Sequence, residues 1–285
     1  MIDLHVHSTC SADGGASIAD YARRAQELAL AEVGMCEHAD FDQRDRSYRY
    51  LDLARYDQEI AAARAIAPEV RLRQAVEITY QANLEAEIRA WLAVKRWDYV
   101  IASVHLLDYR DGWAMVSEQS AVEAYFSKHS QHQAYLPYFE ELLRAARSGL
   151  GDVLGHFDLV KRYGVTHYGR FEPTIFAEEI RAVLRAAVEA GVGLEINASG
   201  LRQAPGELYP GLAVLSWYRE MGGEIVTIGS DAHCIEHLAA GMGQALALAR
   251  AAGFTAITTF EARAPRWIMI GDLESRGTFL QPDSG

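Results

Sequence analysis

The sequence predicts an α/β barrel of parallel strands, and three observations predict it. Short apolar runs alternate with helix-patterned stretches, there are seven such runs, and each ends in imidazole or carboxylate side chains. Strands alternating with helices imply βαβ units and a parallel sheet. Seven units in one domain suggest a closed or nearly closed barrel; eight is the common number, and seven fits the count better. A chain of 285 residues fits one large α/β domain or two small ones. With half of its residues hydrophobic it can fill a sizeable core. We expect a single domain over 1–285, with an insertion at about 106–150 after the fourth strand.

The first strand is read at 2–6. A helix follows, with Ser17 as its N-cap and Ile18, Tyr21, Ala25, Leu28 and Ala29 at helical spacing. The second, third and fourth strands are read at 33–36, 70–78 and 99–104. The segment 106–150 that follows is rich in aromatic residues, among them Tyr109, Trp113, Tyr125, Phe126, Tyr135, Tyr138 and Phe139. Insertions on barrel loops often shape a substrate pocket. The fifth strand is read at 152–154, then a helix over 176–190 with Ile180, Val183, Leu184, Ala187 and Val188 on one face and Gly191 at its C-cap. The sixth and seventh strands are read at 193–196 and 224–228.

A formal net charge of −12 argues against general nucleic-acid affinity, because phosphate backbones are held by clustered Lys and Arg. Three cysteines (Cys10, Cys36, Cys234) without a CxxC pair do not make a disulfide framework; reduced thiols and a cytoplasmic location are expected. The opening MIDLHVHST places charges and histidines where a signal peptide needs an apolar run. No segment approaches a membrane span of ~20 apolar residues.

The strand ends carry the chemistry. The first run ends in His5-Val6-His7, the second in Glu37-His38, the third in Glu77 and the fourth in His105. The fifth ends in Gly155-His156-Phe157-Asp158, the sixth in Glu195-Ile196-Asn197, and the seventh in Ser230-Asp231-Ala232-His233. In a parallel barrel all of these lie on one rim. They bring imidazole and carboxylate without a thiolate cluster, a donor set that suits Zn, Fe or Mn. His5 and His7 alternate along a strand and share a face; Asp231 and His233 repeat the spacing. So anionic a site should hold more than one ion, and metals about 3.5–4 Å apart clamp both oxygens of a phosphoryl displacement. A lone histidine beside an apolar run is usually structural. Here six of ten histidines fall at strand ends, which chance placement explains poorly. His129, His132 and His167 are read as ordinary helix or loop residues, while His237 stays open because it follows the last motif closely.

In order along the chain, HVHSTCSADG, CEHAD, AVEI, ASVH, GHFD, EINASG and GSDAH resemble the motifs of the PHP (polymerase and histidinol phosphatase) superfamily. The segment AARSGLGDVLGHFDLVKRYG, EINASGLR followed by Glu207-Leu208-Tyr209-Pro210, and the long insertion after ASVH make the chain most similar to histidinol-phosphate phosphatases. The resemblance implies a distorted seven-stranded (β/α)7 TIM-like barrel and three divalent metal ions (Zn, Fe or Mn). It places His5, His7, Glu77 and Asp231 on one metal, Glu77, His105 and His156 on a second, and Asp13, His38 and His233 on the third, with Glu77 bridging. One position departs from the pattern: a histidine is expected where this chain has Asp13, which is also a competent oxygen ligand. As a structural alternative, Asp13 is a turn residue before Gly14-Gly15.

The activity so implied is hydrolysis of a phosphomonoester, L-histidinol phosphate, by a metal-bridging hydroxide attacking phosphorus in line. The catalytic groups would be Glu77, His156, Asp231 and His233. Arg202, Lys161 and Arg162 are candidate cations for the phosphoryl oxygens and Asn197 a donor, Arg202 favoured because a guanidinium fork matches phosphate. Lys161 and Arg162 also fit solvated loop charges. Glu37, Asp158 and Glu195 are candidates to support the ligands from behind, Asp158 by orienting His156, with leaving-group protonation as its other reading, while Glu195 also fits a ligand or a contact to a substrate amine. Three alternatives stay open: a PHP phosphoesterase acting on a nucleotide or nucleic-acid end, a deacylase-like metal hydrolase, and a non-catalytic PHP module.

Overall fold

A computed structural model describes residues 1–109 and 112–276; the remainder of the expected span 1–285 lies outside the described residues. In chain order the elements are β1 (Ile2–Val6), α1 (Ile18–Glu27), β2 (Glu32–Ala39), α2 (Leu53–Ile66), β3 (Arg71–Thr79), α3 (Glu85–Leu92) and β4 (Val100–Ser103). Then come β5 (Leu106–Tyr109), β6 (Gly112–Met115), α4 (Gln119–Phe126), α5 (Gln131–Ser148), β7 (Val153–Leu154), α6 (Lys161–Tyr168) and α7 (Ala177–Ala190). The chain continues with β8 (Gly193–Asn197), α8 (Leu212–Glu220), β9 (Val226–Gly229), α9 (Met242–Ala251), β10 (Ala256–Glu261), β11 (Ala264–Met269) and α10 (Ile270–Arg276).

Seven strands form one parallel sheet in the order β1-β2-β3-β4-β7-β8-β9. The sheet nearly closes on itself: Val6 bridges Ala232 in parallel, His7 N donates to Ala232 O at 2.9 Å, and Asp231 N donates to His5 O at 2.8 Å. The seven runs read from sequence are the seven barrel strands. Each is fully or almost fully buried, because helices cover the outside and side chains fill the interior. Approach inside is close. Tyr99 donates from its hydroxyl to Leu4 O at 2.6 Å, and a side chain at Gly34 would occupy the space of that hydroxyl.

Local signals explain the helix ends. Ser17 caps α1 as a capping box, its side chain accepting from Asp20 N at 3.2 Å. Gly191 ends α7 in the left-handed region at φ 69°, where a side chain would clash with its own backbone.

The segment 106–150 is not one inserted unit. β5 and β6 form an antiparallel hairpin over the rim, followed by α4. Helix α5 is the crossover that returns the chain from β4 to β7, and it packs on α7. At the opposite end of the barrel, the β10–β11 hairpin, for which the sequence analysis gives no expectation, closes the bottom. Thr259 and Arg73 both bond the buried Glu32, and Arg263 bonds Asp152 at 2.9 Å. No described helix is long and apolar enough to cross a membrane.

Candidate metal centre

Parallel register puts the strand ends side by side. His38 pairs with Glu77 across β2 and β3, so the two side chains face the same way. Glu77, 1 % exposed, sits at the middle of the rim, and five imidazoles converge on its carboxylate. Oε2 lies 3.3 Å from His5 Nε2, 3.5 Å from His7 Nε2 and 3.1 Å from His38 Nδ1. Oε1 lies 2.9 Å from His156 Nε2 and 3.5 Å from His105 Nε2, and accepts from Ser103 Oγ at 2.5 Å. Asp231 Oδ1 adds contacts of 3.5 Å to both His7 and His233 and of 4.0 Å to His5. Asp13 Oδ2 lies 3.4 Å from His233 and 3.8 Å from His38. All nine residues expected to be ligands therefore meet in one cluster.

Whether this cluster suits metal ions can be judged from its unsatisfied atoms. His5 Nε2, His7 Nε2 and Asp13 Oδ1 are buried without a hydrogen-bond partner, and a buried polar atom left unpaired is costly. His105 Nε2 and His156 Nε2 face each other at 3.1 Å. Behind them, other groups fix the ring orientations. Glu195 Oε1 lies 2.5 Å from His5 Nδ1 and Thr79 Oγ1 lies 2.8 Å from His105 Nδ1, so both rings turn Nε2 toward Glu77. Three groups are compact enough to hold an ion each: His5, His7 and Glu77; Glu77, His105 and His156; and His7, His38 and His233. The donor set fits Zn, Fe or Mn.

Mutual proximity sets the proton affinities. Burial pulls the His38 imidazole down, but Glu77 and Asp13 outweigh it and lift it to about 10. Burial is likewise overcome at His5, raised well above the usual range by Glu195, Glu77 and Asp231. Burial holds His105 down to about 3 and, with the neighbouring rings of His38 and His233, holds His7 well below its ordinary value. The carboxyls of Glu77 and Asp231 are driven well down by the imidazoles, against burial.

Backbone geometry at the rim is unusual. His156 and Asp231 have φ of 20° and 54°, strained for residues with a Cβ. Such strain persists where surrounding contacts over-determine it. Asp231 is held by His5 O, and His156 N by Glu195 Oε2 at 2.9 Å.

The supporting residues read from sequence divide. Glu195 stands behind His5 as expected. Glu37, fully buried, accepts 2.6 Å hydrogen bonds from Ser8 Oγ and Ser11 Oγ; Ser11 Oγ in turn accepts from His38 N at 2.9 Å and lies 3.5 Å from His7 Nδ1. Asp158 corrects the expectation: it neither orients His156 nor faces the cavity, and instead pairs with Lys161 Nζ at 2.8 Å.

Above the cluster lies a cavity of about 420 Å³. Arg162 and Arg202 line it, as expected of phosphoryl-binding cations. Lys161 and Asn197 do not. Lys161 is fully buried between Asp158 and Glu207, 2.8 Å from each, because the first turn of α6 aims it inward. Asn197 is fully buried too, and donates to Glu195 at 3.0 Å and Asp231 at 3.4 Å, so it steadies those two carboxylates and does not line the cavity. His237 lines the cavity beside Cys234.

Sequence reasoning missed Asp3, whose buried carboxylate takes Ser230 N at 2.9 Å, Ser230 Oγ at 2.5 Å and Ala239 N at 2.8 Å, fixing the loop that carries Asp231. It sits between Ile2 and Leu4 in a fully buried strand, and that was the available signal. Gly229 was missed as well: a side chain there would collide with His5 and Glu195. The wall residues Asp45, Arg46 and Glu118 carry no motif signal, and Asp40 closes the CEHAD motif without being singled out.

Comparison with known proteins agrees with this geometry. A family model described as PHP domain matches residues 3–199. A probable histidinol-phosphatase of Deinococcus radiodurans is 28% identical over 240 residues, 82% of this chain and 86% of that protein. A histidinol-phosphatase of Lactococcus lactis subsp. lactis is 25% identical over 261 residues, 91% of this chain and 94% of that protein. The crystal structure of histidinol phosphate phosphatase from the same organism, complexed with Zn, L-histidinol and phosphate, superposes with a TM-score of 0.83 at 25% identity, covering 93% of this chain and 98% of that one.

Proposed function

The chain belongs to the PHP domain family, and from that premise we propose that it is a metal-dependent phosphomonoester hydrolase whose substrate is L-histidinol phosphate. The observation that carries the reading is the convergence of five imidazoles on Glu77, with Nε2 atoms of His5 and His7 buried without a hydrogen bond. Three divalent cations would be held by His5, His7, Glu77 and Asp231, by Glu77, His105 and His156, and by Asp13, His38 and His233. When bound, such ions activate water and offset charge on the phosphoryl group.

The protein's own groups do the rest. Glu195 and Thr79 hold the imidazoles of His5 and His105 in the orientation that presents Nε2 to Glu77. Asp3 and Asn197 hold Asp231 in place. Arg162 and Arg202 line the cavity together with the cluster and would meet the oxygens of a bound phosphoryl group. Arg202 is anchored by a 2.7 Å hydrogen bond to Ser230 O, so its fork is positioned before substrate arrives. Asp40, Asp45 and Glu118 give the cavity an acidic wall, which suits a leaving group bearing an ammonium. A cavity of about 420 Å³ takes a small monoester; a nucleic-acid enzyme needs a long basic groove.

The testing experiment is a turnover panel with Mn or Zn supplied: L-histidinol phosphate, nucleoside monophosphates, sugar phosphates and an amide. We expect L-histidinol phosphate to give the highest kcat/KM and the amide none. Equal turnover of all monoesters would refute the substrate while leaving the phosphatase; amide cleavage without monoester cleavage would refute both.

A further inference from the structure

We propose that Arg46 controls occupancy of the outermost cation position by competing for Asp13; the inference rests on reading the cluster as a metal centre. Three groups approach a single oxygen, Asp13 Oδ2: His233 Nε2 at 3.4 Å, His38 Nε2 at 3.8 Å and Arg46 Nη2 at 3.5 Å. The other oxygen, Oδ1, is buried without a hydrogen-bond partner. A carboxylate facing two imidazoles is where a cation would settle, and here a guanidinium already claims the same oxygen. Its fixed positive charge opposes a divalent ion on the ligand they share.

Arg46 can leave without stranding its charge. It sits on the loop between β2 and α2, its side chain is 65% exposed, and its Nε lies 3.6 Å from Glu118 Oε1 at the start of α4. The structure holds both contacts at once. While Arg46 keeps Asp13 the outer position is disfavoured; when it gives up Asp13 and keeps Glu118 the outer cation is seated. The positions around Glu77 have no arginine partner among the described residues and are insulated from this exchange. Two ions are therefore held tightly and the third follows the free cation concentration. The device depends on an acid at position 13, because a neutral imidazole there would give the guanidinium no anionic partner.

The test is metal content of the full-length holoenzyme, dialysed against buffered series of free Mn2+ and measured by mass spectrometry. In the wild type, two Mn per chain should persist at concentrations where the third is lost. Arg46→Ala should lower the midpoint of the third ion about fivefold, the worth of a partly exposed ion pair, and leave the other two unmoved. Arg46→Lys should keep most of the wild-type midpoint. In an Asp13→His background, Arg46→Ala should shift nothing, since the cycle removes the shared partner. An unmoved third midpoint in Arg46→Ala, an equal shift of all three ions, or the same shift in the Asp13→His background would overturn the competition while leaving the hydrolase reading intact. A chain that takes up no Mn at any concentration would overturn both.

Discussion

Both ends of the barrel bury charge, but only one end leaves it unanswered. At the bottom, Glu32 is 1 % exposed and meets Arg73 Nε at 2.9 Å, Arg71 at 3.5 Å and the hydroxyl of Thr259. Asp152 meets Arg263 at 2.9 Å and accepts from Val100 N at 2.8 Å. Every contact there joins a donor to an acceptor. At the top, imidazole faces imidazole, and the buried Nε2 atoms of His5 and His7 lie near carboxylates without a hydrogen bond. Satisfied networks hold elements together; unsatisfied ones are tolerated where a ligand completes them. The bottom fastens the C-terminal hairpin, and the top gathers groups that could hold cations.

That contrast can be broken by substitution. At the top, Glu77→Gln removes one of the anionic charges the cluster shares, and should cost turnover on the order of a thousandfold, about 4 kcal/mol of barrier, with lower metal content and a normal fold by circular dichroism. Full activity with intact metal content would contradict its place at the centre. At the bottom, Glu32→Ala should lower unfolding free energy by about 3 kcal/mol, because it strands a buried guanidinium, while kcat of the folded fraction stays unchanged. Lost turnover without lost stability would erase the distinction between the two ends. Glu195→Gln tests the layer behind the ligands. It should weaken metal binding or activity by about 10–100-fold, and no change in metal affinity would remove its role in orienting His5.

A smaller effect sharpens the comparison through protons. His38, lifted to about 10 chiefly against the pull of burial by Glu77, carries a proton at pH 8 in the protein groups alone. A cation taking that nitrogen must displace it, so adding Zn to chelator-stripped protein at pH 8 should acidify a weakly buffered solution. Affinity should fall as pH is lowered, since protons and cations compete for the same lone pairs. Uptake without acidification would contradict the assignment of His38.

The barrel and its ligands were legible because two regular patterns coincide. Apolar runs marked the strands, and parallel topology sends the ends of all of them to one rim, so His5, Glu77, His156 and Asp231 could be placed together from positions 226 residues apart at the extremes. Direction was what the sequence did not carry. Lys161 and Arg162 are neighbours, yet the first is aimed into a buried pair with Asp158 while the second faces the cavity. Asp3 looked like strand because its partners, Ser230 and Ala239, arrive from the far end of the chain. The closing hairpin β10–β11 was illegible for a similar reason: what holds it is Glu32, Asp98 and Asp152, at strand starts without a motif.

The most direct measurement is anomalous diffraction from crystals of the full chain grown with Zn or Mn, collected on either side of the metal edge. The account predicts edge-dependent peaks within bonding distance of Glu77, His5, His7, His105 and His156. A folded, active enzyme with no such peak between those residues would contradict it.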